Sequence, residues 1–253
     1  MIVDTDPGGD DVLALLWLQS LVQQGLAELV AVTAAAGNIP ATRTFTNVSQ
    51  LLRLGGLSHL EVGRGVAVPD AAVTDAAHLH GADGMGSLSA TLPATTHVLA
   101  EARYAAELLI DMLSAAPGEI TLVAIAPLTN LAAAEAKRPG ILKKAREIVL
   151  MAGAFTSPGN VTPQAEFNIF YNPEAAHRVL HSRAALVVLP LDVTTHLESH
   201  FVGALHGDAV EVPAHPHRCP WQVRHPLQLD EYCVLVFKPA GCCGNLSPSP
   251  ASK

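Results

Sequence analysis

Residues 4–11 read Asp-Thr-Asp-Pro-Gly-Gly-Asp-Asp, which crowds Asp4, Asp6, Asp10 and Asp11 into one turn between two apolar runs. Helix capping accounts for one or two of them. Asp10 or Asp11, at the start of the helix that follows, would gain about 0.3–1 kcal/mol from the helix dipole. Four acids at one strand end need more, because close like charges raise one another's pKa unless a cation offsets them. A divalent cation resolves the conflict. Ca²⁺ takes about six to eight oxygens from carboxylates, backbone carbonyls and water. Gly8 and Gly9 let the loop turn tightly enough for acids on both sides to face one ion. No His or Cys lies nearby, so the pattern does not suggest zinc.

The elements that must position this turn alternate along the chain. "MIVD" reads as a short strand and "DDVLALLWLQSLVQQG" as a helix ended by Gly25. "ELVAVTAAAGN" is a buried-type strand, and "PATRTFTNVSQLLRLGG" a helix opening at Pro40. "LEVGRG" suits a strand, and the stretch from Val98 to Ala115 reads as helix. Then follow strand "EITLVAIAP", helix "LTNLAAAEAKRPG", strand "REIVLMAG", helix "NPEAAHRVLHS" and strand "ALVVLPLD". Such alternation predicts an α/β fold, an open and mostly parallel sheet with helices on both faces. Ligands in such sheets bind beyond the carboxyl ends of the strands. Asp4, Asp6, Asn38, the backbone after Val123, the loop after Met151 and Asp192 all fall there, and are expected to converge on one crevice.

Of the 253 residues, 49% are hydrophobic and only 15% charged, which suits a filled core rather than a disordered chain. The formal net charge is -8 with scattered Lys and Arg, so neither nucleic acid nor an anionic membrane is an expected partner. No apolar run reaches the roughly 18 residues of a membrane span, and no signal peptide is visible after Met1. A cytoplasmic protein is the expectation.

Two enzyme readings compete for the acidic turn. In haloacid-dehalogenase-like phosphatases an Asp-x-Asp after the first strand supplies the nucleophile, here Asp4, and an acid/base, with Mg²⁺. That reading leaves Asp10 and Asp11 unexplained. The alternative uses all four acids: "DTDPGGDD" resembles the amino-terminal signature of the inosine-uridine-preferring nucleoside hydrolases. "AVTAAAGN", "HGADGMG", "ITLVAIAPLTNLA", "IVLMAGAF", "GNVTPQAEFNIFYNPEAAHRVL" and "LPLDVTTH" resemble that family's later blocks in order, from residue 1 to about 196.

The resemblance implies a nucleoside hydrolase-like, Rossmann-like domain that binds one Ca²⁺ and hydrolyses the N-glycosidic bond of ribonucleosides. Asp6 and Asp11 would bind the ion through carboxylates and Ile125 through its backbone carbonyl. Asp10 would activate the attacking water and contact the ribose, while Asp4 would order the loop. Asn38, Met151, Asn160, Glu166 and Asn168 would line the ribose site, and His80 would lie toward the nucleobase. Plainer roles stand beside these. Asn38 and Asn160 adjoin glycines and suit turns; Glu166 suits a surface, Met151 a core, and His80 an exposed loop. The family also implies a dimer or tetramer.

The carboxyl-terminal part departs from the family. No His-Asp dipeptide, which would complete the ion's ligands and approach the leaving base, occurs in the chain. His206 with Asp208, and His225 with Asp230, are the nearest substitutes. Cys219, Cys233, Cys242 and Cys243 also fall there, without the Cys-x₂-Cys spacing of a zinc site. The expected organisation is an α/β domain over 1–199 and a divergent, truncated or poorly ordered segment over 200–253. Loss of that pair also makes a nucleoside- or ribose-binding homologue with impaired turnover an alternative function.

Overall fold

The computed structural model describes residues 1–68, 70–72 and 74–195, and the backbone of Leu235–Phe237. β1 (Ile2–Thr5), α1 (Gly9–Gln23), β2 (Ala31–Ala34), α2 (Ala41–Leu54) and β3 (Glu61–Arg64) come first. α3 (Ala77–His80) lies in the long connection to α4 (Ala105–Ala115). β4 (Thr121–Ala124), α5 (Thr129–Lys137), β5 (Glu147–Met151), α6 (Phe167–Tyr171), α7 (Pro173–Leu180), β6 (Leu186–Leu189) and α8 (Leu191–Thr194) complete the alternation, and β7 is Leu235–Phe237. The strand order is β3-β2-β1-β4-β5-β6-β7. All pairings are parallel except β6 with β7, so the predicted α/β fold is what the chain adopts.

Local chemistry sets the element ends. α1 stops before Gly25, whose φ of 70° is a left-handed turn that glycine adopts without strain. Asn172 caps α7 by accepting from Ala175 N–H at 3.1 Å, with Pro173 in the first turn. α4 starts later than its Ala- and Leu-rich sequence predicts. Val98–Ala102 closes a separate turn, and Arg103 O then accepts from Arg64 N–H at 2.9 Å. Bonding to β3 holds that stretch extended until Tyr104.

Alternation along the strands builds two cores. Ile2, Leu122, Ile148 and Leu186 share one face and pack against Leu108, Leu109 and Leu113 of α4, Leu131 of α5 and Val179 of α7. Val3, Val32 and Val62 point the other way, onto Leu15 and Leu18 of α1 and Phe45, Val48, Leu51 and Leu52 of α2. In that second layer Val123 is partly buried, while Val149 and Val187 are half-buried among the described residues.

Candidate active site

The strand order reverses between β1 and β4, which opens a crevice at their carboxyl ends. The acidic turn leaves β1 at this point. Asp4 stays inside the sheet, in register with Thr33 and Ala124, and is fully buried. Its Oδ1 accepts from Thr33 Oγ1 at 2.5 Å and Asn130 Nδ2 at 2.8 Å, while Oδ2 is unpartnered among the described residues. Burial pushes its pKa up to about 7 against the pull of both donors.

Asp6 and Asp11 lie just beyond, also buried. Asp6 Oδ2 accepts from Asn38 N–H at 2.6 Å, and its carbonyl from Asn38 Nδ2 at 3.1 Å. Asp6 Oδ1 is buried without a hydrogen-bond partner among the described residues. Asp11 Oδ1 accepts from Thr5 Oγ1 at 2.6 Å, and Oδ2 from Gly8 N–H at 3.3 Å and Asn38 Nδ2 at 3.4 Å. Burial, then the Asp11 charge, holds Asp6 well above the usual carboxylate range. Burial and neighbouring Asp10 push Asp11 up to about 7. The ion pairs among the described residues involve neither acid. Two repelling buried carboxylates with one idle oxygen fit a bound cation, which would supply the missing counter-charge. No three His, Cys, Asp or Glu side chains among the described residues could hold a metal by themselves. A backbone carbonyl and water would therefore complete the ligand set.

Asp10 differs from its neighbours. It is exposed in the first turn of α1, and its side chain makes no hydrogen bond to the described residues. His80 closes over this turn, its Nδ1 accepting from Gly9 N–H at 3.1 Å. That bond assigns the ring proton to Nε2. Space here is tight, since a Cβ at Gly8 would lie 2.7 Å from Asn38 Nδ2 and 2.9 Å from His80 Cε1.

The residues of the later blocks gather around the neighbouring strand ends. Asn168 Nδ2 donates to Ile125 O at 3.1 Å and Met151 O at 3.0 Å, joining the ends of β4 and β5. Glu166 caps α6, accepting from Asn168 N–H at 2.8 Å, Ile169 N–H at 3.1 Å and Gly153 N–H at 2.9 Å. Burial raises its pKa, against the pull of those three donors. Asn160 Oδ1 accepts from Phe167 N–H at 2.8 Å. These polar groups thus brace the loop from 152 to 168. The surface acid foreseen as Glu166's plainer role is not what the structure holds, because three backbone donors draw the carboxylate inward. Met151 is half-buried at the end of β5.

Asp192 makes its hydrogen bonds to the loop that follows β5 rather than to the acidic turn. Its carboxylate accepts from the backbone N–H groups of Phe155, Thr156 and Ser157 and from the Thr156 hydroxyl, which holds it well below the usual range. Sequence reasoning missed Thr5, Thr33, Gly37 and Asn130, all packed on the acidic turn. Asn130 lies inside the "PLTNLA" block and Gly37 beside Asn38, so their neighbours carried the only signal. His206, Asp208, His225, Asp230 and the four cysteines lie outside the described residues.

A cavity of about 520 Å³ flanks the site, lined by Ala36, Pro40, Ala41, Val68, Asp75 and Tyr171. A larger one of about 700 Å³, lined by Glu135, Pro139, Glu174, His177, Arg178 and His181, contains none of the acidic turn. Chemistry favours the crevice over the larger volume, since the unbalanced charge lies at the crevice.

A family model described as inosine-uridine preferring nucleoside hydrolase matches residues 1–228. The chain is 42% identical over 202 residues to the uncharacterized protein C1683.06c of Schizosaccharomyces pombe, covering 79% of this chain and 63% of that one. It is 39% identical over 200 residues to the pyrimidine-specific ribonucleoside hydrolase RihB of Escherichia coli, covering 77% and 60%. The solved purine-preferring ribonucleoside hydrolase from Gardnerella vaginalis superposes with a TM-score of 0.70 at 30% identity, covering 77% and 61%. The chain thus spans less than two thirds of the length of these relatives.

Proposed function

Because the chain belongs to the inosine-uridine preferring nucleoside hydrolase family, we propose that it cleaves the N-glycosidic bond of ribonucleosides, giving free base and ribose. Asp6, Asp11 and the Ile125 carbonyl would hold a Ca²⁺ ion. The observation that carries this reading is the buried Asp6 Oδ1, unpartnered among the described residues, beside a second buried carboxylate. When bound, the ion would supply positive charge that lowers the pKa of water and anchors sugar hydroxyls.

The chain's own residues supply the rest. Asp10 would take a proton from water attacking the anomeric carbon, a role its exposure and its lack of hydrogen bonds to the described residues support. The acidic floor favours the oxocarbenium-like transition state over the neutral ground state. Asn38, fixed by its bonds to Asp6 and Asp11, orients those acids and borders the ribose. Asn160, Glu166, Asn168 and Met151 form the wall beyond β5, where rearranged polar groups would meet sugar hydroxyls. His80, its proton on Nε2, offers a donor toward a nucleobase acceptor. RihB and the Gardnerella enzyme are named for opposite base preferences, so base choice is left to the loops. Cytoplasmic action and a homo-oligomeric assembly belong to the same proposal. Among the described residues no helix is long and apolar enough to cross a membrane.

The assay is release of ribose from uridine and inosine, with and without EDTA. Chelation is expected to abolish it, and Asp10→Asn to lower kcat by about 10²–10⁴. Undiminished activity in Asp10→Asn refutes the assigned base. The second reading, a nucleoside- or ribose-binding homologue with impaired turnover, rests on the lack of a third converging acid among the described residues. Calorimetric nucleoside binding without product would select it. Nothing favours the phosphatase reading, because Asp4, its required nucleophile, is fully buried and doubly hydrogen-bonded.

A further inference from the structure

Between β4 and α5 the chain runs from Ile125 to Asn130, and both ends of this loop are tied to Asp4. Ile125 N–H donates to the Asp4 carbonyl at 2.9 Å. Asn130 Nδ2 donates to Asp4 Oδ1 at 2.8 Å and to the Ala34 carbonyl at 3.3 Å. Asn130 is 3% exposed and lies 126 positions from Asp4 in sequence. The loop between them presses on the acidic turn. A Cβ at Gly37 would meet both Asp6 Oδ2, at 2.0 Å, and Pro127 Cδ, at 2.8 Å. Gly37 thus lies between the Asp6 carboxylate and Pro127 of the loop, which places that loop beside the acidic turn.

We propose that Asn130 is a positioning residue for the cation site: by clamping the far end of the loop to β1 and β2, it fixes where the Ile125 carbonyl stands relative to Asp6 and Asp11. The inference rests on the Ca²⁺ reading above. Asn168 Nδ2 holds the Ile125 carbonyl from the β5 side at 3.1 Å, and Asn130 is the matching hold from the α5 side, without which the loop could shift the carbonyl against the two acids. Loss of a residue that orients a metal ligand typically weakens binding by about 10–100-fold. Thr33 provides the contrast. Its hydroxyl donates to the same Asp4 Oδ1, but from β2, with no hold on the loop.

The test is calorimetric Ca²⁺ titration of the full chain, alongside thermal unfolding and kcat at low and saturating Ca²⁺. Asn130→Ala is expected to raise the Ca²⁺ Kd by about tenfold or more, with kcat recovering at saturating Ca²⁺. Thr33→Val, which removes a bond from the same buried carboxylate, is expected to lower Tm while leaving the Kd within about twofold. Asn130→Ser, with a donor too short to span both acceptors, replaces Asn130→Ala if that variant does not fold, and the same rise in Kd is expected. An unchanged Kd in the folded Asn130 variant, or equal losses in the Asn130 and Thr33 variants, overturns the positioning role alone. A wild type that binds no Ca²⁺ overturns the cation reading and this inference together.

Discussion

Gly37→Ala probes how closely the crevice is built. The Gly37 backbone is not left-handed, so the substitution adds no dihedral strain and the issue is space. The new methyl carbon would lie 2.0 Å from Asp6 Oδ2, where ordinary contact begins at 3.4 Å. Pro127 Cδ, at 2.8 Å, blocks relief on the other side. The Asp6 carboxylate must therefore swing away and release Asn38 N–H, which it accepts at 2.6 Å. With Ca²⁺ bound and Asp6 ionised, a lost hydrogen bond to the charged group costs about 1.5–3 kcal/mol. Overpacking adds about 1–3 kcal/mol. A total of roughly 2.5–6 kcal/mol corresponds to a Tm lowered by about 5–24 °C for a domain of this size. Because Asp6 carries the idle oxygen, Ca²⁺ affinity is expected to fall by about tenfold or more as well. Thermal unfolding followed by circular dichroism, with calorimetric Ca²⁺ titration, measures both effects. A variant with Tm within about 2 °C of wild type and unchanged Ca²⁺ affinity would refute the close approach of Gly37, Asp6 and Pro127 as the determinant of the site.

The buried acids also make stability depend on pH. Asp4 and Asp11, each raised to about 7, stay protonated in the folded chain after the unfolded chain has ionised. Without a cation, folding stability is then lost as pH rises from about 4 through about 7. Ca²⁺ binds the ionised carboxylates, so it should raise Tm more at about pH 8 than at about pH 5; equal increments at both would contradict this sign. Glu166→Ala strips the carboxylate from three backbone N–H groups and should destabilise by about 2–4 kcal/mol in urea unfolding. A loss below about 0.5 kcal/mol would mean that water replaces the carboxylate at no cost.

The alternation of strands and helices was legible in the chain, because apolar periodicity and glycine or proline stops are local signals. So was the acidic turn, since Asp4, Asp6, Asp10 and Asp11 are neighbours in the chain and need no folding to be recognised together. The start of α4 was less legible, because the preceding residues are held out of the helix by bonds to Arg64, 35 to 40 positions earlier, at Leu99, Arg103 and Tyr104. Tertiary structure alone sorted the acids. It buried Asp4, Asp6 and Asp11 and left Asp10 in solvent, a difference that the identity of four chemically alike acids within eight residues does not encode. It likewise placed Asn130 on Asp4 and Asn168 between Ile125 and Met151, across 126 and 43 positions for the longer-range bonds. Hydrogen bonds of that reach depend on the strand order, with β1 beside β4, and strand order is fixed by the packing of the whole sheet.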